Sequence, residues 1–383
     1  MRLAVQIAIG FVLLGTCVRA QELMDAAKGR RMFEGIREAV KASPLKAKLY
    51  PVHAQMNLSF RFQAGYFIEL QANQFEGTGR RHRLAIVLRV TPEGGEPTYL
   101  GTLYRLPSIA KAMPHQFLSL GGIFFLGEGN YSIELVATDE KERVYFAKQK
   151  VSATLRGAEK LVTPVIEKGA VMPLSGLRIA RSLSPDEKAL KLTILLHAAP
   201  NYSRSTVFRP QDLGRLLGAM SALVEQVPVK SLRVVAFNLD QQKEYFREDN
   251  FDGSGFDKLR ESLLPISPGT VDFKVLQNRK GHIDLLADMI GREIEGDDPP
   301  DAVIVLGPMA RLDDRVRAGV IAQNPPNGPR FFYFQYKSMR DSGQSQMPDT
   351  IESAIKRVMG KVFHIFTPGD FAKAIAELRK PRA

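Results

Sequence analysis

The apolar residues of this chain change period partway along it. Between Val52 and Leu155 they alternate, as in Met56, Leu58, Phe60 and Phe62, and again in Tyr131, Ile133, Leu135 and Ala137. A period of two is that of a strand with one buried face. Turn residues separate the runs: Ala64-Gly65, Gly77-Thr78-Gly79, Thr91 to Gly95 and Gly127 to Asn130. Seven or so short strands in about a hundred residues predict an immunoglobulin-like β-sandwich over 45–155. Tyr131, after Gly127-Glu128-Gly129-Asn130, is expected to anchor its core with a tethered hydroxyl.

From Leu192 to Leu378 the pattern becomes strand and helix in turn. Short apolar runs stand at Leu192–Leu196, Leu232–Phe237, Val271–Leu276, Ala302–Leu306, Phe331–Tyr336 and Val362–Phe366. Helical stripes lie between them at Asp212–Val227, Phe256–Leu264, Ile283–Ile294 and Thr350–Met359, with Phe371–Leu378 last. Lys243–Arg247 is expected to pair back on the second run. Fully apolar strands alternating with helices predict a parallel sheet covered on both faces, an α/β doubly wound, Rossmann-like domain over 192–383. Three prolines, Pro164, Pro173 and Pro185, mark 156–191 as a linker. Residues 21–44 carry a partial helical stripe ended by Ser43-Pro44, a leader helix expected to pack on the sandwich. The fold class is therefore α+β and multidomain.

Residues 1–20 have the form of a signal peptide: Arg2, an apolar stretch from Leu3 to Leu14, and small residues at Val18 and Ala20. The apolar stretch is short for a bilayer core of about 30 Å. Cleavage after Ala20 leaves no transmembrane span and gives a periplasmic or secreted protein. It also removes Cys17, the single cysteine of the 383 residues. Disulfides, thiol nucleophiles and thiolate metal sites are thereby excluded from the mature chain. The net charge of +12 is moderate. Its one dense basic cluster, Arg80-Arg81-His82-Arg83, lacks interleaved aromatics, and no nucleic-acid partner is expected.

The element order, with Phe237-Asn238, Gly269-Thr270-Val271-Asp272 and Asp301-Ala302-Val303-Ile304, resembles the von Willebrand factor A-type domain. The whole arrangement, leader, sandwich with Gly-Glu-Gly-x-Tyr, then A-type domain, resembles exported acidobacterial von Willebrand factor A-related proteins. The resemblance implies a doubly wound sheet with one early antiparallel strand, and a ligand face at its carboxyl edge. Such domains hold Mg²⁺ through Asp-x-Ser-x-Ser, a threonine and often a further aspartate. At those positions this chain has His197, Ala199 and Asn201, then His282, then Gly307. A shifted register, Asn201-Tyr202-Ser203-Arg204-Ser205, restores two serines without the aspartate. No metal and no other cofactor is expected.

The candidate binding rim is therefore His197, Asn201, Tyr202, Ser203, Arg204, Ser205 and His282, with Phe208 beside it. Both histidines are expected at strand carboxyl ends, where two imidazoles and a carboxylate would suit a transition metal. Ser203 or Ser205 with His197 and Asp240 lacks the Gly-x-Ser-x-Gly elbow of a hydrolase. The acidic run Gly291–Asp298 lacks calcium-loop spacing and reads as a solvated turn. The function expected is a non-catalytic binding or scaffold module for a protein partner. The alternatives are an exported hydrolase with its site above the α/β sheet, or a metal-dependent adhesion module with a rearranged site.

Overall fold

The computed structural model describes residues 21–39, 44–77, 82–106, 108–109, 111–112, 116–174, 189–202, 205, 207–267, 275, 277–310, 315–337 and 349–382. The expected signal peptide, Arg80, Arg81, Ser203, Arg204 and the turn at Ser184-Pro185 lie outside them. The chain divides into two compact units. The first takes the described residues up to Gln55, Phe62–Thr154 and Ile166–Gly176; the second takes Met56–Arg61, Leu155–Val165 and the remainder.

The first unit holds two antiparallel sheets. One has strands β1 (Glu22–Leu23), β5 (Thr98–Arg105), β4 (Arg83–Pro92), β7 (Gly129–Asp139) and β8 (Val144–Ala153), in that order. The other runs β2 (Ala47–Met56), β3 (Phe62–Gln71), β6 (Phe117–Leu126), β9 (Val171–Pro173). Alternation sets the faces. Ala64, Tyr66, Ile68 and Leu70 of β3 and Leu84, Ile86, Leu88 and Val90 of β4 are all buried. The two sheets meet through tyrosines: Tyr66 and Tyr104 hydroxyls are 3.4 Å apart, and Tyr104 donates to the Gly121 carbonyl at 2.9 Å. Tyr131 is buried, and its hydroxyl donates to the Gly127 carbonyl at 2.8 Å. Burial pushes that phenol up to about 12.

The five-stranded sheet is partly covered on its second face. Helix α1 (Ala26–Glu38), capped by Asp25, lays Phe33 against Val87, Tyr99 and Val136. Arg89 stacks over the Phe33 ring at 4.5 Å and pairs with Glu34 and Glu134. Gly29 is the close-contact point, since a Cβ there would stand 2.5 Å from Tyr99 Cβ. Gly35 faces open space. Replacing a helix-interior glycine by alanine gains about 1 kcal/mol of helix propensity. Overpacking a tight contact costs about 1–3 kcal/mol. Gly35→Ala is therefore expected to raise the denaturation midpoint and Gly29→Ala to lower it; a rise for both would remove the close contact from the account.

The stretch read as a linker is structured where it is described. Gly157–Leu161 forms a 3-10 turn that packs on the last helix of the second unit, and β9 pairs with β6 in the first. The prolines misled because Pro173 sits in an edge strand, where a missing N–H costs little.

The second unit is one six-stranded sheet in the order β12 (Lys243–Glu248), β11 (Val229–Asn238), β10 (Leu190–His197), β13 (Ala302–Pro308), β14 (Arg330–Tyr336), β15 (Lys361–Ile365). All neighbours are parallel except β12, which is antiparallel to β11. In chain order this is 3-2-1-4-5-6. Every residue of β13 is buried, and its alternate side chains serve opposite faces. On one face Leu195, Val235, Val303, Val305 and Tyr333 meet α4 (Gly281–Glu295) and α5 (Thr350–Arg357). On the other, Phe371 of α6 (Pro368–Leu378) meets Phe334 at 6.0 Å and stacks on Phe60 at 5.2 Å. Helix α2 (Pro210–Gln226) packs near β13, and α3 (Phe256–Leu263) near β12.

Two sequence expectations change here. The strand over Val271–Leu276 falls almost wholly outside the described residues, and Val275, the one described, is helical. The acidic run Gly291–Asp298 is not all solvated. Glu293, in the last turn of α4, is 1% exposed and accepts from Thr193 at 2.6 Å and Arg233 at 2.8 Å. Its buried charge is matched by a guanidinium, which a local reading of acidic residues could not reveal.

Candidate functional site at the carboxyl edge of the six-stranded sheet

The chain leaves β10 toward β11 on one side, whereas β13 lies on the other. Open sheets of this kind bind ligands in the crevice at such a reversal, beyond the strand carboxyl ends. His197 ends β10 and Pro308 ends β13, so both stand at this point.

His197 fills the crevice instead of lining its mouth. It is 1% exposed, with its ring 5.3 Å from that of Phe237. Nδ1 lies 3.1 Å from the Pro308 carbonyl oxygen. A carbonyl only accepts, so Nδ1 carries the proton. Burial lowers the imidazole below its ordinary value, against the pull of that carbonyl and of Asp240 and Asp349. The ring is neutral, and Nε2 has no hydrogen-bond partner among the described residues. Gly307 is needed beside it, because a Cβ there would lie 2.7 Å from His197 Cβ and 2.6 Å from its carbonyl oxygen.

A buried polar network continues from Pro308. Its carbonyl also takes the Tyr333 hydroxyl at 2.9 Å, and that hydroxyl lies 3.0 Å from Asp349 Oδ2. Asp349 is 2% exposed and accepts from Ala310 N, Gln335 Nε2 and Glu352 N at 2.9, 2.7 and 2.6 Å. Gln335 Oε1 accepts from His364 Nδ1 at 2.6 Å. Asp349 is the N-cap of α5. Burial raises its carboxyl, opposed by these donors. The carboxylate is occupied by holding α5 and the end of β13 together. Sequence reasoning missed this residue, although Asp349-Thr350-Ile351-Glu352 follows the Asp-x-x-Glu form of a helix start.

The loop after β10 is pinned at both ends. Asn238 Nδ2 donates to the Ala198 carbonyl at 2.7 Å. Asp212, in the first turn of α2, accepts from Asn201 N at 3.1 Å and Arg209 N at 3.0 Å. Ser205 turns back on Tyr202 through its amide and donates its hydroxyl to the Val207 carbonyl at 3.0 Å. Among the described residues of this loop, Tyr202 is 41% exposed and Val207 56%, and Arg209 is exposed where the loop meets α2. Phe208 is half-buried beside them.

The expected rim is thus split. Asn201, Tyr202 and Ser205 lie together on the loop. His197, expected as a contact residue, is buried beneath it. His282 does not end a strand but opens α4 as its second residue, 2% exposed. Among the described residues no group of three His, Cys, Asp or Glu side chains is placed to hold a metal. No helix among them is long and apolar enough to cross a membrane.

No family model matches the chain, and no curated protein matches it. Solved structures with partial likeness include a protein described as ApaA from Bordetella pertussis, 11% identical, TM-score 0.20, covering 30% of this chain and 98% of that one. Another is a calcium-binding mutant of Bacteroides uniformis beta-glucuronidase 2, 8% identical, TM-score 0.20, covering 76% of this chain and 36% of the enzyme. Beta-glucosidase from Listeria innocua, 10% identical, TM-score 0.16, covers 28% of this chain and 16% of its own. Likenesses this slight carry no argument about activity.

Proposed function

We propose that this is an exported, non-catalytic binding or scaffold protein whose immunoglobulin-like sandwich is joined to a metal-free, von Willebrand factor A-like domain that recognises a protein partner. The sandwich reading is supported by two facing antiparallel sheets and the Tyr131 hydroxyl tethered to a carbonyl four residues upstream. The A-like reading is supported by the 3-2-1-4-5-6 order with its single antiparallel edge strand. Export rests on the composition of residues 1–20.

The observation that carries the function is the state of the switch point. A neutral, buried imidazole occupies the crevice, and the adjoining loop presents Tyr202 and Val207 to solvent. Mg²⁺ needs charged oxygen ligands to offset its dehydration, and an imidazole does not replace them. Exposed aromatic and aliphatic groups on a pinned loop suit protein contact, where tyrosine often dominates the binding energy. Replacing Tyr202 by Ala and Val207 by Glu in the mature chain should weaken capture of its envelope partner at least tenfold without shifting the melting temperature. Undiminished capture by the double variant would overturn the assignment of this rim.

A further inference from the structure

At the opposite, amino-terminal edge of the six-stranded sheet lies a groove of about 750 Å³, within the size range of ligand sites. Four cationic residues line it, Arg330, Arg379, Lys380 and Arg382, against one carboxylate, Asp301. Lys380 pairs with Glu377. Arg330 and Arg382 are held differently. Arg330 donates Nη1 to the Lys380 carbonyl at 2.7 Å and Nη2 to the Leu378 carbonyl at 3.1 Å. Arg382 donates Nη1 to the Gly328 carbonyl at 2.8 Å and Nη2 to that of Pro326. Neither has a carboxylate ion-pair partner among the described residues. Their neutral acceptors fix the guanidinium planes without cancelling the charge, and each guanidinium retains further N–H donors. Burial pulls the Arg330 guanidinium below its ordinary value; the carboxylates of Asp301 and Glu377 oppose this, and the like charge of Arg382 adds to it. An anion between them would relieve that repulsion.

The remaining wall is rigid and apolar, with Pro299, Pro300, Pro329 and Pro381 beside Leu190. Free phosphate has no use for such a wall. A peptide does: its backbone and aliphatic stems cover proline rings while its carboxylates take the guanidinium forks.

We propose that this groove is a second binding site of the protein, one that takes an acidic, glutamate- or aspartate-rich peptide segment of a partner. It is independent of the rim around Tyr202, and failure of either leaves the other standing.

The test titrates a fluorescein-labelled hexaglutamate peptide into the full mature chain, with labelled hexaserine as the control. Arg382→Glu should weaken hexaglutamate binding at least tenfold, and Arg382→Gln several-fold. Lys150→Glu, at an exposed position of β8 in the other unit, makes the same change in net charge and should weaken it less than twofold. Equal losses for Arg382→Glu and Lys150→Glu would mean attraction by net charge alone and would overturn the site. Pyrophosphate or a single-stranded oligonucleotide displacing the peptide at far lower concentration than unlabelled hexaglutamate would overturn the peptide assignment. Melting curves matched to wild type confirm that each variant is folded; if Arg382→Glu is not, the comparison of Arg382→Gln with Lys150→Gln decides in the same way.

Discussion

Replacing Asp349 by alanine is expected to cost the second unit more stability than any other single change considered. Three donors converge on this carboxylate, Ala310 N, Gln335 Nε2 and Glu352 N, and the Tyr333 hydroxyl shares its one proton between Asp349 and the Pro308 carbonyl. Removing a helix N-cap costs about 0.5–2 kcal/mol, and each buried donor left without an acceptor about 1–3 kcal/mol. Some donors will find water, so the expected loss is about 3–6 kcal/mol, comparable with the whole stability of many domains. Asp349→Asn keeps an oxygen acceptor and should lose less. The pH dependence has a definite sign. Burial raises the Asp349 carboxyl above its unfolded value, so the folded state binds the proton more tightly. Its stabilising contribution is complete below the unfolded value of about 3.9 and is lost as pH rises through the raised one. The stability gap between wild type and Asp349→Asn should therefore narrow from acid toward neutral pH. Urea unfolding across that range measures it. A gap that widens would mean the carboxylate is net stabilised by its donors.

Phe33→Ala should be the most damaging change in the first unit. The side chain is fully buried between α1 and the five-stranded sheet, in contact with Val87, Tyr99 and Val136. Truncating a buried phenylalanine costs about 3–5 kcal/mol through lost transfer energy and the cavity left behind. Here the Arg89 guanidinium also loses the ring beneath it while keeping Glu34 and Glu134. Near-ultraviolet circular dichroism and denaturant titration should show a weakened first-unit transition. A loss below about 1 kcal/mol would mean that α1 is a loosely attached leader, not part of the core.

Much of the fold was legible because hydrophobic period reports burial directly. The alternation in β7 and the continuous apolar run of β13 correspond to a half-buried and a fully buried environment, whereas the alternation at Met56, Leu58, Phe60 and Phe62 falls on the end of β2, a turn and the first residue of β3. Lys243–Arg247 could be read as the strand turning back because it follows β11 after only a short turn. What escaped was tertiary in origin. Glu293 reads as solvated until α4 is laid over Thr193 and Arg233. Asp349 reads as a cap but not as the centre of a network reaching Pro308 and His364. His197 occupies a position that the family resemblance assigns to a ligand. Its sequence neighbours do not say whether an imidazole there faces solvent or turns inward onto Phe237. Val171–Pro173 looked like connection because three residues carry too little pattern to announce a strand.

The central claim is that the carboxyl edge of the six-stranded sheet binds its partner without a metal. Capture of a protein from envelope extract by the chain from Gln21 onward, performed side by side in Mg²⁺ and in EDTA, tests it most directly. The account predicts equal capture in both, loss with the Tyr202→Ala, Val207→Glu double variant, and no Mg²⁺ heat in a calorimetric titration of the chain alone. Capture that disappears in EDTA and returns with added Mg²⁺ would contradict it and would identify a rearranged adhesion site.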